Sequence, residues 1–190
     1  MKVYFGLAIF ISLLVIIGCK DSATNPASSN PTILMESNFE VNGMPSIEQW
    51  KRVDTLKRAV LFFSNDVPPD SIEHCSVGFK SPDTIENIIS LSVVPSNQIG
   101  SNFRTFTLSY WAKGSSFDMP NILAGLEVIS PYSFQFKGGG QYATVWQQYT
   151  LTINMDYPAK NINVSIGLFP TTSRDTTEYT LFTGFKLVGK

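Results

Sequence analysis

From Thr32 to Lys190, hydrophobic and polar residues alternate with a period of two, in short runs broken by turn residues. Phe106, Leu108 and Tyr110 fall on one side of their run, and Thr105, Thr107, Ser109 and Trp111 on the other. Tyr149, Leu151, Ile153 and Met155 oppose Gln148, Thr150, Thr152 and Asn154. Ile162, Val164, Ile166 and Leu168 oppose Asn163, Ser165 and Gly167. Half-buried antiparallel strands have this pattern, one face in a core and one wet. It predicts strands over Ile33–Val41, Ala59–Ser64, His74–Lys80, Ile88–Val94, Arg104–Lys113, Ile122–Ile129, Tyr132–Lys137, Gln147–Met155, Ile162–Phe169 and Tyr179–Val188. Turn residues such as Asp66-Val67-Pro68-Pro69, Pro95-Ser96-Asn97 and Gly138-Gly139-Gly140 separate them. No segment keeps a helical apolar period, and Ser46–Leu56 has room for one helical turn at most. About ten short strands in one domain of this size predict an all-β fold, a jelly-roll β-sandwich of antiparallel strands.

The first residues follow another rule. Met1-Lys2 is a short positive stretch, and Val3 to Ile17 is almost wholly apolar. A membrane-spanning helix needs about 20 apolar residues, so the run reads as a signal peptide instead. Ile16-Ile17-Gly18-Cys19 resembles a bacterial lipobox, with Ile16 where Leu is usual. The resemblance implies cleavage before Cys19, a diacylglyceryl group on its thiol and an acyl group on the new amine. Two or three acyl chains hold a protein stably on a membrane. Lys20 to Pro31 is polar and rich in Ser and Pro, a flexible tether. The expected organisation is therefore a signal peptide over 1–18, lipidated Cys19 and tether over 19–31, and the jelly roll over 32–190. Cys19-Lys20-Asp21 resembles the start of the surface-export signal of Bacteroidetes-type lipoproteins. That implies a lipid-anchored protein of the bacterial cell envelope, at the outer membrane on its periplasmic or surface face.

Charge and composition narrow the chemistry. With 14 Lys+Arg against 15 Asp+Glu, the chain lacks the basic excess that phosphate binding needs, so nucleic acid is not an expected partner. One His and two Cys argue against a multi-ligand zinc site. Lipidation of Cys19 would leave Cys75 alone, so no intramolecular disulfide is expected. His74 and Cys75 are neighbours, and on a strand they face opposite sides, which is wrong for a Cys–His pair. Cys75 alternates with Val77 and Phe79 as a small core residue would. No Gly-x-Ser-x-Gly elbow is present, and nothing in the spacing pairs Asp118, Glu127, Asp156 or Glu178 for glycosidase chemistry. Neither catalysis nor a cofactor is expected.

Several segments match one family in order along the chain. Ser37-Asn38-Phe39-Glu40 followed by Trp50 resembles the opening of family 4, 9 and 22 type carbohydrate-binding modules. Phe106-Thr-Leu-Ser-Tyr-Trp-Ala-Lys-Gly114 is similar to a Tyr-Thr-Leu-Ser-Phe-Trp-Ala-Lys-Gly strand of that group, and Trp146-Gln-Gln-Tyr-Thr-Leu-Thr-Ile153 to its Trp-x-x-Tyr-Thr strand. Cys75–Phe79 and Phe185-Lys186-Leu187 fit further strands. The resemblance implies a galactose-binding-like jelly roll and a non-catalytic, glycan-binding role. The family's terminal Asp pair, which often helps hold a structural calcium, falls here on Thr183 and Gly184. Glu40 alone is a poor site, so no bound metal is expected.

Sugar modules present flat rings on a polar strand face, where a ring packs on the apolar side of a pyranose. By alternation Trp111, Phe169 and Phe182 are the candidate rings, and Gln148 and Asn154 the candidate hydrogen-bonding side chains. The alternative for each ring is packing under a loop or along a sheet edge. Trp50 and Trp146, at strand entrances, fit core or rim positions. Tyr142, beside the triple glycine, fits a loop over a cleft. Five of the 8 Asp precede Ser or Thr and then Ala, Leu, Ile or Thr. These triplets resemble the O-glycosylation motif of Bacteroidetes and make Ser22, Thr55, Ser71, Thr84 and Thr176 candidate sites. Turn chemistry explains the same triplets equally well. The expected function is a membrane-anchored lipoprotein with a non-catalytic carbohydrate-binding module. The alternative is a structural or protein-interaction lipoprotein of the envelope that uses the same fold.

Overall fold

The computed structural model describes residues 30–54, 60–69, 71–80, 88–95, 103–115, 122–129, 134–138, 142–159, 161–168 and 177–190. All regular structure among them is β. Thirteen strands run β1 Thr32–Ser37, β2 Glu40–Val41, β3 Met44–Pro45, β4 Lys51–Arg52, β5 Val60–Ser64, β6 Ser76–Lys80 and β7 Ile88–Val93. Then come β8 Thr105–Gly114, β9 Ile122–Ile129, β10 Phe134–Gly138, β11 Gln147–Asn154, β12 Asn161–Leu168 and β13 Tyr179–Gly189. One sheet has the order β11-β8-β13-β6-β5, with β1 also paired to β13. The other has the order β10-β9-β12-β7-β4, and β2 and β3 form a small hairpin. Every pairing is antiparallel.

The alternation in β8 produces this architecture directly. Phe106, Leu108, Tyr110 and Ala112 are fully buried, while Thr105, Thr107, Ser109 and Trp111 are half-buried on the outer face. Leu151 and Ile153 of β11 and Ile162, Val164 and Ile166 of β12 follow the same rule. The inner faces of both sheets join in one hydrophobic core, the two-layer solution for sheets with one apolar face each.

Two local features depart from simple alternation. The run expected as one strand over Ile33–Val41 is broken at Phe39, whose φ is 58°. The chain then turns through Asn42 (φ 53°) and Gly43 (φ 74°) into β3. Positive φ at both central residues is the hairpin turn that Asn-Gly favours. Phe39 thereby enters the core and stacks on Trp50, centroids 5.2 Å apart. Trp50 Nε1 donates to Ser37 Oγ at 2.8 Å, so its one polar atom is satisfied within the core. The second feature is a bulge in β13, where the register to β8 slips between Thr183 and Lys186. Gly184 sits there with φ 62°. The extra residue turns Phe182 and Phe185 both inward.

Tyr142 is core, not a loop residue over a cleft. It is 2% exposed. Its hydroxyl accepts from Ala124 N at 3.0 Å and bonds the Tyr110 hydroxyl at 3.2 Å. Burial pushes Tyr142 well above the ordinary phenol value and raises Tyr110 to about 12. Cys75 is a buried free thiol, and burial raises it too.

Candidate functional site

The outer face of the six-stranded sheet carries three of the expected site residues, Trp111, Gln148 and Asn154. The pairings of β8 set out its rows. Glu36, Lys186, Ser109 and Thr150 lie in register across β1, β13, β8 and β11. Thr183, Trp111 and Gln148 form the next row. Val188, Thr107 and Thr152 follow, and Thr105 faces Asn154 beyond them. Thr105 Oγ1 donates to Asn154 Oδ1 at 3.0 Å, and the Thr107 and Thr152 hydroxyls lie 3.4 Å apart. This surface offers mostly hydroxyls and amides, the groups that hydrogen-bond other hydroxyls.

The segment between β5 and β6 lies against one end of this face. Cys75 O accepts from Thr183 Oγ1 at 3.0 Å. Asp66 accepts from Lys113 Nζ at 2.6 Å and from Trp146 Nε1 at 2.8 Å. Burial by itself would raise the Asp66 carboxyl. The hydrogen bonds from Lys113 and Trp146, with the Lys113 charge, outweigh it and hold the group below its ordinary 3.8. Trp146 is therefore a half-buried anchor for this segment rather than a free ring.

Beside the β13 bulge this arrangement leaves a cleft of about 270 Å³, lined by Glu36, Asn38, Ile72, Glu73, Gly184 and Lys186, with Ser37 and Phe185 beneath. Lys186 Nζ and Glu36 Oε1 form a 2.8 Å ion pair along it. Trp111 borders the cleft through Gly184. A Cβ on that glycine would lie 2.9 Å from Glu73 Oε1 and 3.1 Å from Trp111 Cδ1. A bare backbone at the bulge thus lets an indole edge and a carboxylate close on one spot.

The candidate residues separate as follows. Trp111 is half-buried on the outer face, with Gln148 exposed beside it in register. Asn154 is exposed on the same face, two rows from the Glu36 and Lys186 row that lines the cleft, and already takes the Thr105 hydroxyl. Phe182 is a correction. It is fully buried, with its ring 5.2 Å from that of Tyr142 and 5.8 Å from that of Phe79. Counting in twos from Lys186 puts Phe182 on the wet side, and the bulge at Gly184 reverses that parity. Phe169 lies outside the described residues, as do Cys19, Ser22, Thr55, Thr84 and Thr176. Ser71 is half-buried, its hydroxyl donating to Glu73 O at 3.3 Å. Periodicity does not reveal Glu36, Asn38, Glu73 or Lys186 as a group. Glu36 and Lys186 are 150 positions apart, and only the β1–β13 pairing brings them together. No His, Cys, Asp and Glu grouping able to hold a metal is found among the described residues.

No family model matches the sequence, and no curated protein does. Solved structures match its shape. The CBM22-1 xylan-binding domain from Paenibacillus barcinonensis Xyn10C superposes with a TM-score of 0.55 at 11% identity, over 86% of this chain and 97% of that one. TmCBM61, solved with β-1,4-galactotriose, gives a TM-score of 0.52 at 13% identity, over 81% and 95%. The enzymatically active domain of tailspike protein 4 from bacteriophage CBA120 gives 0.54 at 15% identity over 80% of this chain, which spans only 21% of the tailspike chain. Identities this low speak for architecture, and one architecture hosts many functions. The chain has the two-sheet jelly-roll fold of carbohydrate-binding modules.

Proposed function

We propose that this chain is a lipid-anchored, non-catalytic carbohydrate-binding protein of the bacterial cell envelope. The observation that carries the reading is the outer face of the six-stranded sheet. It combines a hydroxyl and amide surface with the Trp111 indole at the edge of a cleft lined by Glu36, Asn38, Glu73 and Lys186. A ring for the apolar side of a pyranose and acceptors and donors for its hydroxyls are what sugar recognition requires. The fold shared with a xylan-binding domain and a galactotriose-bound module supports the reading. The anchor rests on Gly18-Cys19 after the apolar run. The tether enters at Thr32, and β1 leads to the cleft at Ser37-Asn38, roughly 17 Å away at strand spacing. The cleft thus lies at the far end of β1 from the point where the N-terminal segment joins it.

A glycan array probed with the full chain in detergent tests the binding. A retained glycan is expected, and Trp111→Ala should weaken it by about 1–3 kcal/mol if the ring is an anchor. Binding undiminished by Trp111→Ala would assign the ring to packing instead. For the anchor, labelled palmitate should enter the wild type and not Cys19→Ala, and equal labelling would refute it.

One observation favours the second reading, a protein-interaction lipoprotein. Edge strand β5 leaves Val60 50% and Phe63 43% exposed, and apolar edges are where other chains pair. Co-purification of an envelope protein lost in Phe63→Lys, with an empty glycan array, would establish that reading.

A further inference from the structure

On the reading that this face binds glycans, we infer that the cleft beside Gly184 admits neutral sugars and turns away anionic ones, uronates and sulfated sugars. The lining holds two carboxylates, Glu36 and Glu73, and one ammonium, Lys186, a balance of 1 − 2 = −1. Lys186 is already engaged, its Nζ 2.8 Å from Glu36. The other lysine near Trp111, Lys113, is likewise held by Asp66 at 2.6 Å. Both of these cations, among the described residues, are therefore paired within the protein.

Glu73 is the residue that a ligand meets against the indole. Its carboxylate lies over Gly184, next to Trp111 Cδ1. A sugar docked in the cleft at the Trp111 edge brings its substituents against Glu73. A hydroxyl there donates a charge-assisted hydrogen bond. A second carboxylate or a sulfate ester meets like charge at close range instead, with no unpaired cation among the described lining residues to offset it, and weakens by roughly tenfold or more. The protein as a whole adds to the bias, since its net charge is −1.

The test is an array on which neutral glycans stand beside their uronate and sulfated counterparts, probed with the full chain in detergent. The wild type should bind neutral members at least tenfold more tightly, and added salt should narrow the gap as it screens the repulsion. Glu73→Gln keeps the shape and removes the charge: neutral binding should weaken as the charge-assisted hydrogen bond is lost, anionic binding should rise, and the gap should shrink from both sides. Glu36→Gln frees Lys186 and should raise anionic binding further. Unchanged melting temperatures would show that both variants fold. Equal wild-type affinity for a neutral glycan and its uronate, or a gap that neither variant moves, would overturn the charge selection and leave glycan binding standing. An array with no ligand at all would overturn the glycan reading itself, and this inference with it.

Discussion

Asp66 shows how one side chain fixes a connecting segment against a sheet. It receives Lys113 from β8 and Trp146 from the approach to β11, and its carbonyl accepts Ser76 Oγ at 2.7 Å. Its carboxyl is held below 3.8 in the folded chain. A lowered folded value means that the stabilisation is present above the unfolded value and is lost as pH falls through the folded one. Thermal melts should therefore shift down as pH drops below about 4, and Asp66→Asn should flatten that acid limb while lowering stability at neutral pH. A variant with the same acid limb as the wild type would show that Asp66 contributes little. Phe182 is the opposite case, a ring with no wet surface. Phe182→Ala should cost about 3–5 kcal/mol of stability, the usual penalty for emptying a packed aromatic site. Chemical denaturation measures it. A loss under 1 kcal/mol would contradict its place in the core.

At the scale of the element, β13 does the most. It pairs with β8, with β6 and with β1, and its bulge sets which side chains reach the cleft. Glycine holds φ near +62° without the steric cost that a Cβ brings, and a methyl group there would press on Glu73 and Trp111. Gly184→Ala should cost about 1–2 kcal/mol from the backbone conformation alone. It should also weaken any ligand that uses Trp111, because the indole edge is displaced. Stability and binding together decide the point: a variant as stable as wild type would show that the bulge relaxes freely. The position was open to reading in one sense. Thr183-Gly184 is where the chain departs from the family pattern, and a glycine inside a strand run often marks a bulge. What the departure does to the parity of Phe182 follows only from the register with β8.

Across the whole molecule, the two layers are tied by a hydroxyl knot as well as by apolar packing. Tyr142 bonds β9 of one sheet through Ala124 N and β8 of the other through Tyr110. Both phenols are raised above 10, Tyr110 to about 12. Below pH 10 both states hold their protons and the full stability is present. Above it the unfolded chain releases protons that the folded chain keeps, so stability falls as pH rises toward and through the folded values. Melting should drop steeply between about pH 10 and 12, and less steeply in Tyr110→Phe. An identical slope in the two proteins would show that other groups govern the alkaline limb.

The sequence by itself determined the layers. A period of two places apolar side chains on one face of each strand, and two such faces have to meet; that argument needs no long-range information. It put Trp111 and Gln148 on the outer face correctly, because β8 and β11 pair without a register break. The tertiary structure decided the rest. The bulge in β13 turned Phe182 inward. The hydrogen bonds of Tyr142 placed it between the sheets. Chain reversal brought Glu36 and Lys186 into one ion pair across 150 residues. A cleft is made where distant strands and a crossing segment meet, and the spacing of residues along one strand holds no record of which others will stand beside it.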